Sequence, residues 1–147
     1  MIKERETEVK INEANLNVTV IGAGGKMGTR VTNNLVKKDY KLFLCEKGEK
    51  GIAGIRDRGL EVSEADDVVP ISDIVVLAVP DSLIKDISKD IVPKMKSAST
   101  LIMLDPAAAY AKEVTLRDDC PFVVTHPCPP PLFREQETAE ARKDYFG

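Results

Sequence analysis

Only one histidine, His126, and no tryptophan occur among the 147 residues. A zinc site built on several histidines is therefore excluded, and any imidazole chemistry runs through that one side chain. Cysteine is scarce as well. Cys45, Cys120 and Cys128 stand at wide, irregular spacing, cannot all pair and fit no paired-cysteine metal pattern, so reduced thiols and no metal ligands are expected. No apolar run approaches the ~20 residues that span a bilayer, and the N-terminal MIKERETEVK carries charge where a signal peptide needs an apolar stretch. A cytoplasmic protein with no membrane partner is expected. A basic surplus is missing too: 21 Lys and Arg against 24 Asp and Glu give a formal charge of −3, which argues against nucleic acid as a partner. What remains, 43% hydrophobic and 31% charged residues, is the composition of an ordinary globular chain long enough for one buried core.

Residues 1–15 are polar, lack an apolar period and read as a leader. Leu16 to Ile21 is short and rich in β-branched residues before Gly22, as a buried strand ending in a tight turn would be. Met27, Val31 and Leu35 then recur every four residues, which predicts a helix from Lys26 to about Lys38 with one apolar stripe. Lys41 to Cys45 is a second strand, Ile52 and Ile55 lie on a short helix that Gly59 can end in left-handed geometry, and Leu60 to Val62 reads as a weak third strand. Asp73 to Val79 carries six consecutive apolar residues, the pattern of a central parallel strand covered on both faces. Asp81 or Ser82 is expected to cap a helix whose Leu83, Ile84, Ile87 and Ile91 share a face up to Pro93. Thr100 to Leu104 and Phe122 to Thr125 supply further strands, with a helix expected from Tyr110 to Arg117 between them. Alternating strand and helix from 16 to 125 predicts an α/β class, a doubly wound parallel sheet with helices on both faces. Pro127, Pro129, Pro130 and Pro131 form a stiff run out of the last strand, and the charged stretch 134–147 ends on Tyr145, Phe146 and Gly147 as if leading into a further domain.

Gly22, Ala23, Gly24, Gly25, Lys26, Met27 and Gly28 fall between the first strand and first helix, where glycines let a pyrophosphate approach a helix N-terminus. The spacing is GxGxxxG: with Gly22 and Gly24 as the first two glycines, Met27 takes the third glycine's place. Glu46 follows the second strand directly, 18 residues after Gly28 and near the ~20 expected of the acid that binds adenosine ribose hydroxyls. A carboxylate there repels a 2′-phosphate and favours NAD over NADP; otherwise Glu46 is a surface acid at a strand end. Val79, Pro80 and Asp81, and likewise Asp105 and Pro106 with the alanines after them, sit at carboxyl ends of strands, where open α/β sheets bind ligands, although prolines also end strands in ordinary loops. His126 ends the last strand on the same edge. A neutral imidazole there can accept a hydroxyl proton while hydride leaves the adjacent carbon, or it is a polar loop residue stiffened by Pro127. Cys128 has no second base to activate it and reads as a bystander thiol.

IGAGGKMG (21–28), LAVPD (77–81), LDPAAAYA (104–111) and THPCPPPLF (125–133) in this order resemble the NAD(P)-binding domain of the 6-phosphogluconate dehydrogenase-like superfamily. That group includes prephenate dehydrogenase, 3-hydroxyacid dehydrogenases and ketol-acid reductoisomerase, and within it the chain is most similar to the D-apionate oxidoisomerase family. The resemblance implies a Rossmann-like domain over 16–133, a connection over 134–147, and a helical second domain, absent from this chain, that closes the site and forms a homodimer. It also implies NAD-linked oxidation of a branched sugar acid coupled to skeletal rearrangement, with His126 as the base and a small molecule as substrate. The competing class is a non-catalytic NAD(H)-sensing regulatory domain, which needs no base beside the nicotinamide.

Overall fold

The computed structural model describes residues 15–126 together with 138 and 139. The expected leader up to residue 14, the proline run with Cys128, and the charged end apart from 138 and 139 lie outside the described residues. Among the described residues, five strands form one parallel sheet: β1 (Asn17–Ile21), β2 (Lys41–Cys45), β3 (Ile74–Leu77), β4 (Thr100–Met103) and β5 (Phe122–Val124), in the spatial order β2-β1-β3-β4-β5. The unbroken apolar run of β3 follows from its central place. Val75 and Leu77 enter the core on one face, and Val76 with Ala78 just beyond the strand enters the core on the other.

The connections divide between those faces, as a doubly wound α/β sheet requires. Helices α1 (Lys26–Leu35) and α2 (Glu49–Arg56) pack through Val31, Leu35 and Ile55 against Val18, Val20 and Leu44. On the opposite face, α3 (Ala65–Val68), α4 (Asp81–Ile91) and α5 (Ala107–Tyr110) bring Val68, Ile84, Ile91 and Ala108 onto Val75, Leu101 and Met103. A hydroxyl relay crosses this second face. Ser72 donates to the Val68 carbonyl at 2.7 Å, so the 2.6 Å contact between the Thr19 and Ser72 oxygens has Thr19 as donor.

Four local expectations are corrected by the structure. Leu60 to Val62 is not a strand: Ser63 makes one amide bond to the Leu44 carbonyl, while Leu60 and Val62 pack beside the core in a segment without regular secondary structure. Among the described residues β2 is therefore a sheet edge. The helix expected at Tyr110 to Arg117 ends at Tyr110 because Lys112 takes a positive φ of 59°; the following loop is tied down by Arg117, whose guanidinium donates to the Met95 carbonyl at 2.6 Å. Neither Asp81 nor Ser82 caps α4: the N-cap position is Pro80, without a side-chain bond, and Leu83 faces outward, leaving Ile84 and Ile91 buried. Finally, α1 stops at Leu35 and buries Gly28 and Thr32 most completely, with Val31 and Leu35 at the margin.

Asp73 fastens the N-terminal edge of the sheet. Its amide donates to the Asn17 carbonyl at 2.8 Å, its carboxylate accepts the Asn17 amide at 2.8 Å, its carbonyl accepts the Thr100 amide at 2.9 Å, and Lys96 pairs with the remaining oxygen. The Lys96 hydrogen bond, outweighing desolvation and aided by the Asn17 amide, holds this carboxyl below the ordinary aspartate value. A depressed carboxyl stabilises the fold above its unfolded pKa and loses that contribution as pH falls through the folded one. Asp73→Asn is accordingly expected to melt below wild type at neutral pH, with the two curves converging below about pH 4. A gap that stays constant down to pH 3 would assign the effect to packing rather than charge.

Candidate functional site

The strand order reverses direction between β1 and β3: the chain leaves β1 for β2 on one side and returns to β3 on the other. Loops diverge at such a point and leave a crevice at the carboxyl ends of the strands. The turn after β1 fills one wall of it. Gly22 and Ala23 both donate to the Cys45 carbonyl, at 2.9 and 3.1 Å, and the Ala78 amide donates to the Ile21 carbonyl at 2.9 Å. Gly22 has φ +81°, and a Cβ on it would lie 2.7 Å from the Ala78 oxygen. Two constraints, backbone angle and space, exclude a side chain there.

The structure also resolves the irregular glycine spacing. Gly25 donates to the Gly22 carbonyl at 3.1 Å, closing a turn that absorbs the extra residue, and serves as N-cap of α1. Gly24 is turned away toward α2, where its Cβ would meet the Cα of Gly51 at 2.4 Å. Gly28 performs the packing task of a third glycine: a Cβ on it would fall 2.0 Å from the Gly22 oxygen and 2.8 Å from Ala23 Cα. The extra residue of the GxGxxxG spacing thus leaves Gly28, and not Met27, at the packed last position, and the glycine that faces the crevice is Gly25.

A cleft of about 600 Å³ opens here. It gathers Gly25, Lys26 and Met27 from the start of α1, Val79, Pro80 and Asp81 from the β3 edge, Asp105 from the β4 edge and His126 from the β5 edge. Gly22, Ala23, Gly24, Gly28, Glu46 and Pro106, also singled out from the sequence, do not line it. Arg30 does, one helical turn beyond Lys26, and sequence reasoning missed it. The signal was present as two cations four residues apart at the head of a helix that follows a glycine turn.

The charges in the cleft are arranged unevenly. No side chain caps the first turn of α1 and no acid lies in it, so its amide donors and dipole, with Lys26 and Arg30, make one end receptive to an anion. At the other end Asp105 accepts the Ala107 amide on Oδ1 at 2.7 Å, and its Oδ2 lies 3.7 Å from Nδ1 of His126. The imidazole is 61% exposed, so in this chain one side of it meets solvent. Glu46 lies behind the glycine turn, where Oε2 accepts the Gly24 amide at 3.0 Å and Oε1 accepts the Lys47 and Gly48 amides at 2.9 Å each. The neighbouring Cys45 thiol is pushed up to about 12 by burial, with Glu64 adding to the shift, and is no nucleophile.

Over residues 13–136 the chain matches the family model described as acetohydroxy acid isomeroreductase, NADPH-binding domain. It is 54% identical over 132 residues to a D-apionate oxidoisomerase of Blautia hydrogenotrophica, covering 88% of this chain and 46% of that protein. A D-apionate oxidoisomerase of Pectobacterium atrosepticum is 47% identical over 130 residues, again covering 88% and 46%. Among solved structures, a semialdehyde dehydrogenase NAD-binding protein from Cupriavidus necator, in complex with calcium and NAD, superposes with a TM-score of 0.81 at 38% identity, covering 90% of this chain and 48% of that one. The chain therefore spans about half the length of the curated relatives it matches. The sheet is Rossmann-like, as expected.

The contact between Gly28 and the Gly22 carbonyl joins backbone to backbone, and no rotamer change relieves it. Gly28→Ala is expected to destabilise the domain by ~3 kcal/mol, read from the denaturant midpoint. A variant within about 0.5 kcal/mol of wild type would show that α1 can lift off the turn without cost.

Proposed function

This chain belongs to the acetohydroxy acid isomeroreductase NADPH-binding domain family, and on that premise we propose that it is the NAD-binding domain of an oxidoreductase acting on a small, branched hydroxy or sugar acid. The names of the relatives point to oxidation coupled to isomerisation. The observation that carries the reading is the cleft at the strand-order reversal, receptive to an anion at one end and holding the His126–Asp105 pair at the other. A dinucleotide fits these residues. The absent side chain of Gly25 and the uncapped first turn of α1 admit a pyrophosphate, with Lys26 and Arg30 beside it. Val79, Pro80 and Asp81 border the space left for the nicotinamide half, and Asp105 and Pro106 form the next loop.

Bound there, a nicotinamide dinucleotide supplies the hydride acceptor. The chain's own residues supply the proton traffic. With Asp105 facing Nδ1, the proton of a neutral imidazole is favoured on that nitrogen, which directs Nε2 to the substrate hydroxyl as base. As hydride leaves the carbinol carbon, its hydroxyl proton passes to Nε2 and the carbonyl forms. Asp105 then stabilises the imidazolium. The exposure of His126 calls for a covering element, which we assign to the part of the full-length protein beyond this chain, together with a homodimer contact, in the cytoplasm.

NAD is proposed over NADP, in departure from the cofactor in the family's description, because of Glu46. Its carboxylate lies just past the end of β2 beside the glycine turn, where an adenosine ribose is held in such sheets, and it would repel a 2′-phosphate.

General-base assistance is typically worth ~10²–10⁴ in rate, so His126→Ala in the full-length protein should lower turnover of a branched aldonic acid by that factor while NAD affinity stays the same. Turnover within about threefold of wild type would place the base outside this chain.

A further inference from the structure

Glycine in a helix interior costs about 1 kcal/mol relative to alanine, yet α2 contains two, Gly51 and Gly54. Their surroundings differ. A Cβ on Gly54 would meet nothing within 4 Å, whereas one on Gly51 would fall 2.7 Å from Cγ, 2.8 Å from Cδ and 2.9 Å from Oε2 of Glu46. The Glu46 side chain thus lies folded across the bare backbone of Gly51. From that position its Oε2 reaches the Gly24 amide and its Oε1 the amides of Lys47 and Gly48. Gly24 approaches the same bare patch from the other side, since its own Cβ would lie 2.4 Å from Gly51 Cα.

We propose that Gly51 is the positioning residue for cofactor choice: it leaves the gap in which the Glu46 carboxylate lies and bonds the glycine turn, so the acid that discriminates against a 2′-phosphate is fixed before the dinucleotide arrives. The inference rests on the reading of Glu46 given above and names the residue through which Glu46 acts. A methyl group at 51 meets Cγ, Cδ and Oε2 of Glu46 as its nearest neighbours and no backbone atom among them, so the Glu46 side chain has to swing as a whole to make room. The helix therefore tolerates it, and the carboxylate is what moves. Displacement breaks the bond to Gly24 and carries the negative charge away from the ribose position. NAD binding weakens, and the penalty on a 2′-phosphate falls with it. A merely structural glycine would affect both cofactors alike.

The test measures calorimetric affinities for NAD and NADP, with melting temperatures, in the full-length protein and its Gly51→Ala, Gly54→Ala, Glu46→Ala and Gly51→Ala/Glu46→Ala variants. Gly51→Ala should fold, bind NAD about tenfold more weakly and bring the NAD to NADP ratio toward one. Gly54→Ala should leave both affinities within about twofold. In the Glu46→Ala background, Gly51→Ala should add no further change in the ratio, because its effect passes through Glu46. A Gly51→Ala protein that keeps the wild-type ratio, while Glu46→Ala loses it, overturns the inference alone. An unfolded Gly51→Ala protein overturns it as well, since the carboxylate and not the backbone has to yield. A wild type that binds NADP as tightly as NAD contradicts the cofactor reading itself, and the inference with it.

Discussion

The carbonyl oxygen of Gly22 occupies the place that a side chain on Gly28 would need. This contact sets the distance between α1 and the end of β1, and so decides where the first turn of the helix points. It also lets Gly22 take its left-handed backbone angle against the end of β3, while the Gly22 and Ala23 amides share the Cys45 carbonyl at the end of β2. Three adjacent strands are thereby locked to one turn. The cleft lies against that turn, and an error in its placement would be carried into every wall of the site. Packed backbone cannot adjust as side chains do, which makes this region stiff without any covalent staple.

The sheet was legible in the sequence because burial on both faces leaves an unbroken signal. The six apolar residues after Asp73 could satisfy a central strand and little else, and the structure places β3 there with core on either side. Leu60 to Val62 misled because an irregular segment that packs beside a core has the same composition as an edge strand. The difference lies in amide partners, which sequence does not display. The helix expected after Tyr110 failed for a related reason. Its end is set by Lys112 in the left-handed region and its loop by the reach of Arg117 to backbone carbonyls.

At the site, strand ends were readable and depth was not. Val79, Pro80, Asp81, Asp105 and His126 reach one cleft because parallel strands deliver their carboxyl ends to one edge. The glycine spacing was readable as GxGxxxG, but counting letters does not reveal that Gly25 closes a turn back onto Gly22 and so absorbs the extra residue. Arg30 was within reach of helical periodicity. Gly51 was not, because what singles it out is the neighbouring carboxylate rather than any motif of its own. Glu46 drew notice for its position, whereas its three bonds to backbone amides emerge from the fold alone.

The most direct measurement of the central claim is a crystal structure of the full-length protein with NAD and a non-reactive hydroxy acid. The account predicts the pyrophosphate on the first turn of α1 against Gly25, the adenosine ribose hydroxyls on Glu46, and the substrate hydroxyl within hydrogen-bond reach of His126 Nε2. A dinucleotide bound elsewhere, or one whose ribose lies away from Glu46 with His126 turned from the substrate, would contradict it.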